Sequence, residues 1–495
     1  MEFQIEIKNK IIFIVAFLFL AGSNIFAQQQ DLMEVTGSRG VYSTVNGEMM
    51  QEVFAPVVIT QGNVRITCDH AIRYISRNVA ELIGNVVATQ DTLTITTSHG
   101  YYYGDERKAE SNSGVELNDK KVVLTADSGN YYFNEEKAVF RSNVKLVDTS
   151  STLTSNQLVY YKNTGKAIAT GNVKIVESKD IIQADSLIHF RDSRITYADS
   201  RVRISNSANN SIIYGGHLED YPAKFYTLIT KNPLFIQIDS SYIQRIDTEK
   251  VSGSLDTSLV LQLDTLVIRS LRMEAYRDTI NIFKAEDSVR IVRGAFASRN
   301  DYTEYFRNKG EIVTVKQGEN AKLPIIWYDN SQLTGDSVLI FLKENKIKLL
   351  DVNGDAFILS QDEKYKDRFN QISGSRVKIH FGDDGIEETD VYGGVHSIYY
   401  LFEDNEPNGL TKSSSESAKI LFENKKVSAV KLYGTPTSEY YPEKKVAGEE
   451  LSFTLPGFFI RKNRPAKKEL LGSTFNFGKA AAMKKKTAFN SPGIR

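Results

Sequence analysis

Apolar positions in this chain recur on two periods at once. On the short period, apolar and charged residues alternate, as in Val115-Glu116-Leu117, Val144-Lys145-Leu146 and Val173-Lys174-Ile175. Period two marks a strand with one face buried and the other in water. On the long period, Val57, Val86, Val115, Val144, Val173 and Val202 stand 29 residues apart. Ile66, Ile95, Leu124, Leu153 and Ile182 form a second column. An aromatic column follows at Tyr74, Tyr103, Tyr132, Tyr161 and Phe190, then a small-residue column at Ala80, Ala109, Ala138 and Ala167. A fixed repeat of this length implies stacked units, each burying its apolar residues against its neighbours.

Within one copy the pattern predicts a strand at Val115–Leu117, a second running through Val122–Thr125 and Asn130–Phe133, and a third short one at Lys137–Phe140. Polar turns separate them. Gly84, Ser113, Ser142, Gly171 and Ser200 precede the valine column, where small residues permit a tight bend. No 3.6-residue apolar pattern interrupts the region, so helix is excluded as its main element. At about 4.8 Å per strand, six copies span about 29 Å if each adds one strand per sheet, and twice that if each adds two.

The unit returns in looser form beyond residue 266, where Val289-Arg290-Ile291 and Leu333-Thr334-Gly335-Asp336-Ser337 echo the earlier copies. The expected organisation is a leader over residues 1–27, a repeat block over 28–216, an irregular connection over 217–265, a looser repeat block over 266–460, and a basic, mobile tail over 461–495. Leu401 to Ser417 reads as a loop insertion.

Composition narrows the function classes. Lys plus Arg and Asp plus Glu are both 61. A net charge of zero gives no general footprint for nucleic acid. Lys8 and Lys10 precede the apolar run Ile11 to Gly22, and Ala27 ends a small-residue cleavage pattern. That is an export signal, and the run is too short to span a bilayer, which needs about 20 residues. Cys68 is the single cysteine, so no intrachain disulfide is possible.

The residues Ala126-Asp127-Ser128, Tyr131-Tyr132, Lys137-Ala138 and Ser142-Asn143-Val144 form a motif. It recurs as Ser155-Asn156-Gln157, Tyr160-Tyr161, Lys166-Ala167 and Gly171-Asn172-Val173. This pattern resembles the OstA family, the organic-solvent-tolerance and lipopolysaccharide-transport A proteins. The resemblance implies an all-β fold, an elongated jellyroll or folded two-sheet trough, in one or two consecutive bodies. It also implies a periplasmic, non-enzymatic carrier or bridge for lipopolysaccharide on its way to the outer membrane, with no cofactor. Partners would be the glycolipid, other β-troughs joined by strand edges, and an outer-membrane assembly. Under this reading Val115, Leu117, Leu124, Val144, Leu146, Leu153, Val173, Ile175 and Ile182 point between the sheets, where they either fill a core or line an acyl groove. Val57 and Val58 are the candidates for an unpaired N-terminal edge, since bare edges recruit other chains.

Other chemistry is weakly supported. The column Asp69, Asp127, Asn156 and Asp185 offers one oxygen-bearing side chain per copy, which suits turn hydrogen bonding better than a calcium ladder. His70 and His99 lie one period apart without the further ligands a zinc site needs. The aromatic column suits sheet packing with hydroxyls at the rim better than a grip on sugar. No nucleophile elbow, metalloprotease motif, P-loop or dinucleotide fingerprint is present. Two alternatives remain: a structural or adhesive surface solenoid with a filled core, and a polysaccharide-acting β-helix enzyme. Asp383-Asp384 and Glu387-Glu388 are acid neighbours that would more often be solvated turns.

Overall fold

In the computed structural model, the residues described are 31–208, 210–246, 257–319, 321–344, 346–382, 385–424 and 426–472. The leader and residues 473–495 lie outside them. Among the described residues thirty-two strands are present, paired antiparallel, and helix is confined to short pieces such as Glu443–Val446 and Lys467–Leu471. The chain divides into two compact units, Met1–Ser142 and Asn143–Arg495.

Most 29-residue copies contribute two long strands, while around Val115 the same path is broken into the short strands Lys108–Ser111, Val115–Asn118, Val123–Ala126 and Ser128–Tyr132. In the second unit they run Ser151–Tyr161, Lys166–Glu177, Asp180–Phe190, Ile195–Asn206 and Ser211–Tyr221, each bonded to the next. The expected third short strand is not a separate element. It continues through the small-residue bend into the valine of the next copy, as in Lys166–Glu177. At that bend two consecutive residues have positive φ: Gly171 at 75° and Asn172 at 49°, and likewise Gly84 at 75° and Asn85 at 45°. The pairing register shifts there, between Thr170 and Val173 and between Ile83 and Val86. This is a bulge, which bends its strand. The acid column serves it. Asp69 accepts from Asn85 Nδ2 at 2.8 Å, and the side chains of Asp69, Asn156 and Asp336 lie over Gly84, Gly171 and Gly354, where a Cβ would collide with them.

The bend folds each strand over its own interior. In the first unit Leu82 before the bulge and Val86 and Ala88 after it line the same small cavity. In the second, the rings of Phe235 and Phe283 meet at 5.0 Å. Large and small residues alternate across this inner layer, as in Leu158–Ala169–Leu187–Ala198–Leu218, all buried and directly opposed on successive strands. Alternation of this kind fills space without overpacking.

Four expectations need correction. Residues 217–265 are not an irregular connection. The strands Tyr226–Thr230, Leu234–Ile246 and Thr257–Arg269 continue the ladder, and only 247–256 fall outside the description. Their off-period sequence, Leu234-Phe235-Ile236, is buried on both faces, so it loses the alternation that marks a one-sided strand. Leu401 to Ser417 is no loop but the tip of a hairpin formed by Ile386–Glu403 and Glu406–Glu423. Val57 and Val58 are not at an edge. Glu34–Thr36 and Arg39–Val45 both pair with Glu48–Gln61, setting Thr36 opposite Val58, and Val57 is buried. Most residues of Arg39–Val45 are exposed, which left this strand without a readable apolar face.

The tail is the fourth. Residues 442–472 lie back along the outer face of the second unit. Leu470 and Leu471 pack on Leu234, Ile236, Val267, Val292, Ala297 and Trp327, and Leu455 packs on Phe357, Leu359 and Ile398. Gln371 grips the segment as a strand would, donating to Phe453 O at 2.9 Å and accepting from Leu455 N at 2.8 Å. Gln332 repeats the grip on Phe459 O and Arg461 N. Residues 461–472 of the expected mobile tail are thus docked.

Candidate functional site

The candidate site is the interior between the facing half-strands. In the first unit Val115, Leu117 and Leu124 are buried there, and in the second Val144, Leu146, Leu153, Val173 and Ile175, with Ile182 half-buried. Leu117 stands directly opposite Leu124, and Ile175 opposite both Leu153 and Ile182. These pairs are neighbours along the sheet, so the columns run unbroken from strand to strand. The cavity among Leu82, Ile95, Val115, Tyr131 and Phe140 measures about 20 Å³, room for about one water. A ligand-sized pocket is about 300–1,000 Å³. In the first unit Val115, Leu117 and Leu124 are buried, and this cavity beside them is too small for a ligand.

Polar clasps close the mouth of the first unit, where hairpin tips from the two layers meet. Tyr102 donates to Gln61 Oε1 at 2.6 Å, and Gln61 Nε2 donates to Gly104 O at 3.0 Å. Arg107 Nη2 donates to Asn63 Oδ1 at 2.7 Å. Burial pushes the Tyr102 phenol up to about 12, with Arg107 opposing. One repeat further on, Tyr131 and Gln90 are the equivalent pair. There the Tyr131 hydroxyl and Gln90 Oε1 are both buried without a protein partner, and burial raises the Tyr131 phenol. The two clasps differ accordingly. Tyr102→Phe strands Gln61 Oε1 and is expected to lower stability by about 1–3 kcal/mol, whereas Tyr131→Phe removes an unsatisfied hydroxyl and costs close to nothing. Equal shifts of the two variants in chemical denaturation would contradict this difference.

The buried aromatics are not those of the sequence column. Tyr102, Tyr131 and Tyr160 face inward, one residue earlier. Tyr74, Tyr103 and Tyr132 face outward, half-buried under cations: Arg77 lies 4.4 Å from the Tyr74 ring centroid, Lys108 3.9 Å from Tyr103 and Lys137 5.0 Å from Tyr132. Their role is sheet packing. The Lys-Ala pair follows from this, since lysine caps the outer ring while Ala138 and Ala167 sit inside.

The histidines do not converge on one another. His70 Nε2 lies 2.8 Å from Glu52 and His99 Nε2 lies 2.9 Å from Glu81. Cys68 is buried, with its thiol donating to His70 O at 3.3 Å, and burial raises its pKa. Asp383 and Asp384 lie outside the described residues, and Glu388 is bound to Lys419. A cluster the sequence did not reveal is His380, Glu388 and Asp390. Its members become neighbours only through the register of two strands, so a single-sequence motif search has nothing to match.

Fold and site together define an antiparallel, repeat-built β-protein, whose first unit has an apolar interior closed by polar clasps. Residues 41–185 match the family model described as OstA-like protein. The resemblance to the OstA family therefore holds over this stretch. No curated protein matches the chain at a significant level. No helix among the described residues is long and apolar enough to cross a membrane.

Proposed function

We propose that this chain is an exported periplasmic carrier or bridge for lipopolysaccharide, holding acyl chains between its facing half-strands and leaving the sugar outside. The observation that carries the reading is the OstA-like match laid over unbroken inner columns of Val, Ile and Leu. An acyl chain exposed to water costs about 0.8 kcal/mol per CH₂, and such columns offer it shelter. Because the cavity in the first unit is too small for a ligand, loading there requires the two layers to part and the Tyr102–Gln61 clasp to break. Strand edges supply the proposed junctions to other troughs. Arg39–Val45 bonds Glu48–Gln61 alone among the described residues, and Lys426–Tyr433 bonds only Glu406–Glu423. Edge strands are templates for pairing.

A photoreactive residue placed singly at Leu117, Leu124, Leu153 and Ile175 in cells tests the reading. Adducts carrying lipopolysaccharide are expected. Their absence at all four positions, with no lipid in a solvent extract of the purified protein, would favour the structural alternative.

A further inference from the structure

On the outer face of the second unit, adjacent strands bring together three groups that no part of the transport reading uses. In Phe369–Phe381 the side chains of Val377 and Ile379 are buried inside, so His380 points outward. The neighbouring strand, Ile386–Glu403, sets Glu388 opposite His380, with Asp390 two residues further along the same face. An i, i+2 pair on one strand and a third ligand on the next is a tripod held by the sheet itself. One donor atom from each of the three lies within 4.8 Å of the others.

Two details bear on whether this tripod can hold an ion. His380 Nε2 and Asp390 Oδ2 are 3.4 Å apart. That is beyond a good N–H···O hydrogen bond, which ends near about 3.2 Å. It matches the separation of about 3.3 Å between two ligands of one tetrahedral ion with bonds of about 2.0–2.1 Å. The second detail is that a cation already sits at the carboxylates. Lys419, on Glu406–Glu423, places Nζ 3.1 Å from Asp390 Oδ1 and in contact with Glu388. Its side chain is 32 % exposed, so the flexible stem can carry the ammonium back to water.

We propose that His380, Glu388 and Asp390 form a binding site for a divalent transition-metal ion of the zinc type. His380 gives its Nε2 lone pair, the two carboxylates give one oxygen each, and water takes the fourth position. Lys419 occupies the site in the metal-free protein and is displaced on binding. One imidazole with two carboxylates favours zinc over magnesium, which prefers oxygen ligands and retains its waters. The proposal does not depend on lipid transport.

Titration of the untagged full-length chain with zinc chloride near neutral pH, followed by calorimetry, tests it. One zinc per chain is expected, and magnesium should give no heat. His380→Gln should weaken zinc roughly tenfold or more, and Lys419→Met should tighten it. Both variants should match the wild type in circular dichroism without metal. Unchanged affinity in His380→Gln would place any zinc elsewhere and overturn the site. So would no binding by the wild type, including the case in which only Lys419→Met binds, for then the lysine holds the site permanently in the natural protein.

Discussion

Leucine at position 129 should destabilise the first unit, and alanine at position 140 should restore it. Position 129 is the place in the repeat at which Leu158 and Leu187 stand one and two copies later. At 129 the residue is glycine, and Phe140 directly opposite supplies the missing volume. A Cβ on Gly129 would stand 2.7 Å from Phe140 Cε1, inside any tolerable contact. Gly129→Leu should therefore cost at least about 1–3 kcal/mol through overpacking, and Phe140→Ala alone about 3–5 kcal/mol through the cavity it leaves. The double variant recreates the Leu158–Ala169 pair of the next repeat and should lie close to the wild type. Trp327 is the only tryptophan and belongs to the second unit, so its fluorescence is blind to this region. Amide exchange over residues 123–142 is the measurement to use, and additive single effects would refute the volume exchange.

Arg368→Met should release the segment around residues 443–455. The Arg368 side chain is only 4 % exposed, donates to Glu443 and reaches Glu450, and lies 5.3 and 5.4 Å from the ring centroids of Tyr365 and Tyr400. Removing one partner of a buried pair leaves carboxylates uncompensated, an expected loss of about 3 kcal/mol. Acid should produce a milder version of the same release. The Arg368 guanidinium, helped by the Gly409 N–H and opposed by burial, holds the Glu443 carboxyl below its usual range. A depressed carboxylate stabilises the fold above the unfolded value of about 4.3, and that contribution is lost as pH falls through the lower folded value. Protection of amides 443–455 should thus be high at neutral pH in the wild type and fall in acid. In Arg368→Met it should be low at both, and a variant as protected as the wild type at neutral pH would contradict the role given to Arg368.

The repeat was legible because burial on one face leaves its mark in every copy. Which of two adjacent tyrosines faces inward was not, since alternation alone does not fix the phase at Tyr131-Tyr132. The signal that resolves it is the pairing across the turn, where Tyr131 meets Ala138 and Tyr132 meets Lys137. A lysine belongs outside, so its partner does too. The segment Leu234-Phe235-Ile236 and the docked Leu470-Leu471 escaped for a linked reason. The first is covered on its outer face by the second, and neither sequence announces a partner more than 200 residues away. The candidate ligands His380, Glu388 and Asp390 required the register itself.

Two strands per copy has a consequence for how such a chain can change length. Each copy carries the backbone out and back, so one whole copy gained or lost returns the next strand to the same direction, with the same face inward. Half a copy reverses direction and brings every later bulge, clasp and capped ring to the wrong end. Duplication in steps of 29 residues is therefore nearly silent to the residues downstream, while smaller steps must be absorbed in a hairpin tip. Heredity can tune the reach of this protein only in pairs of strands.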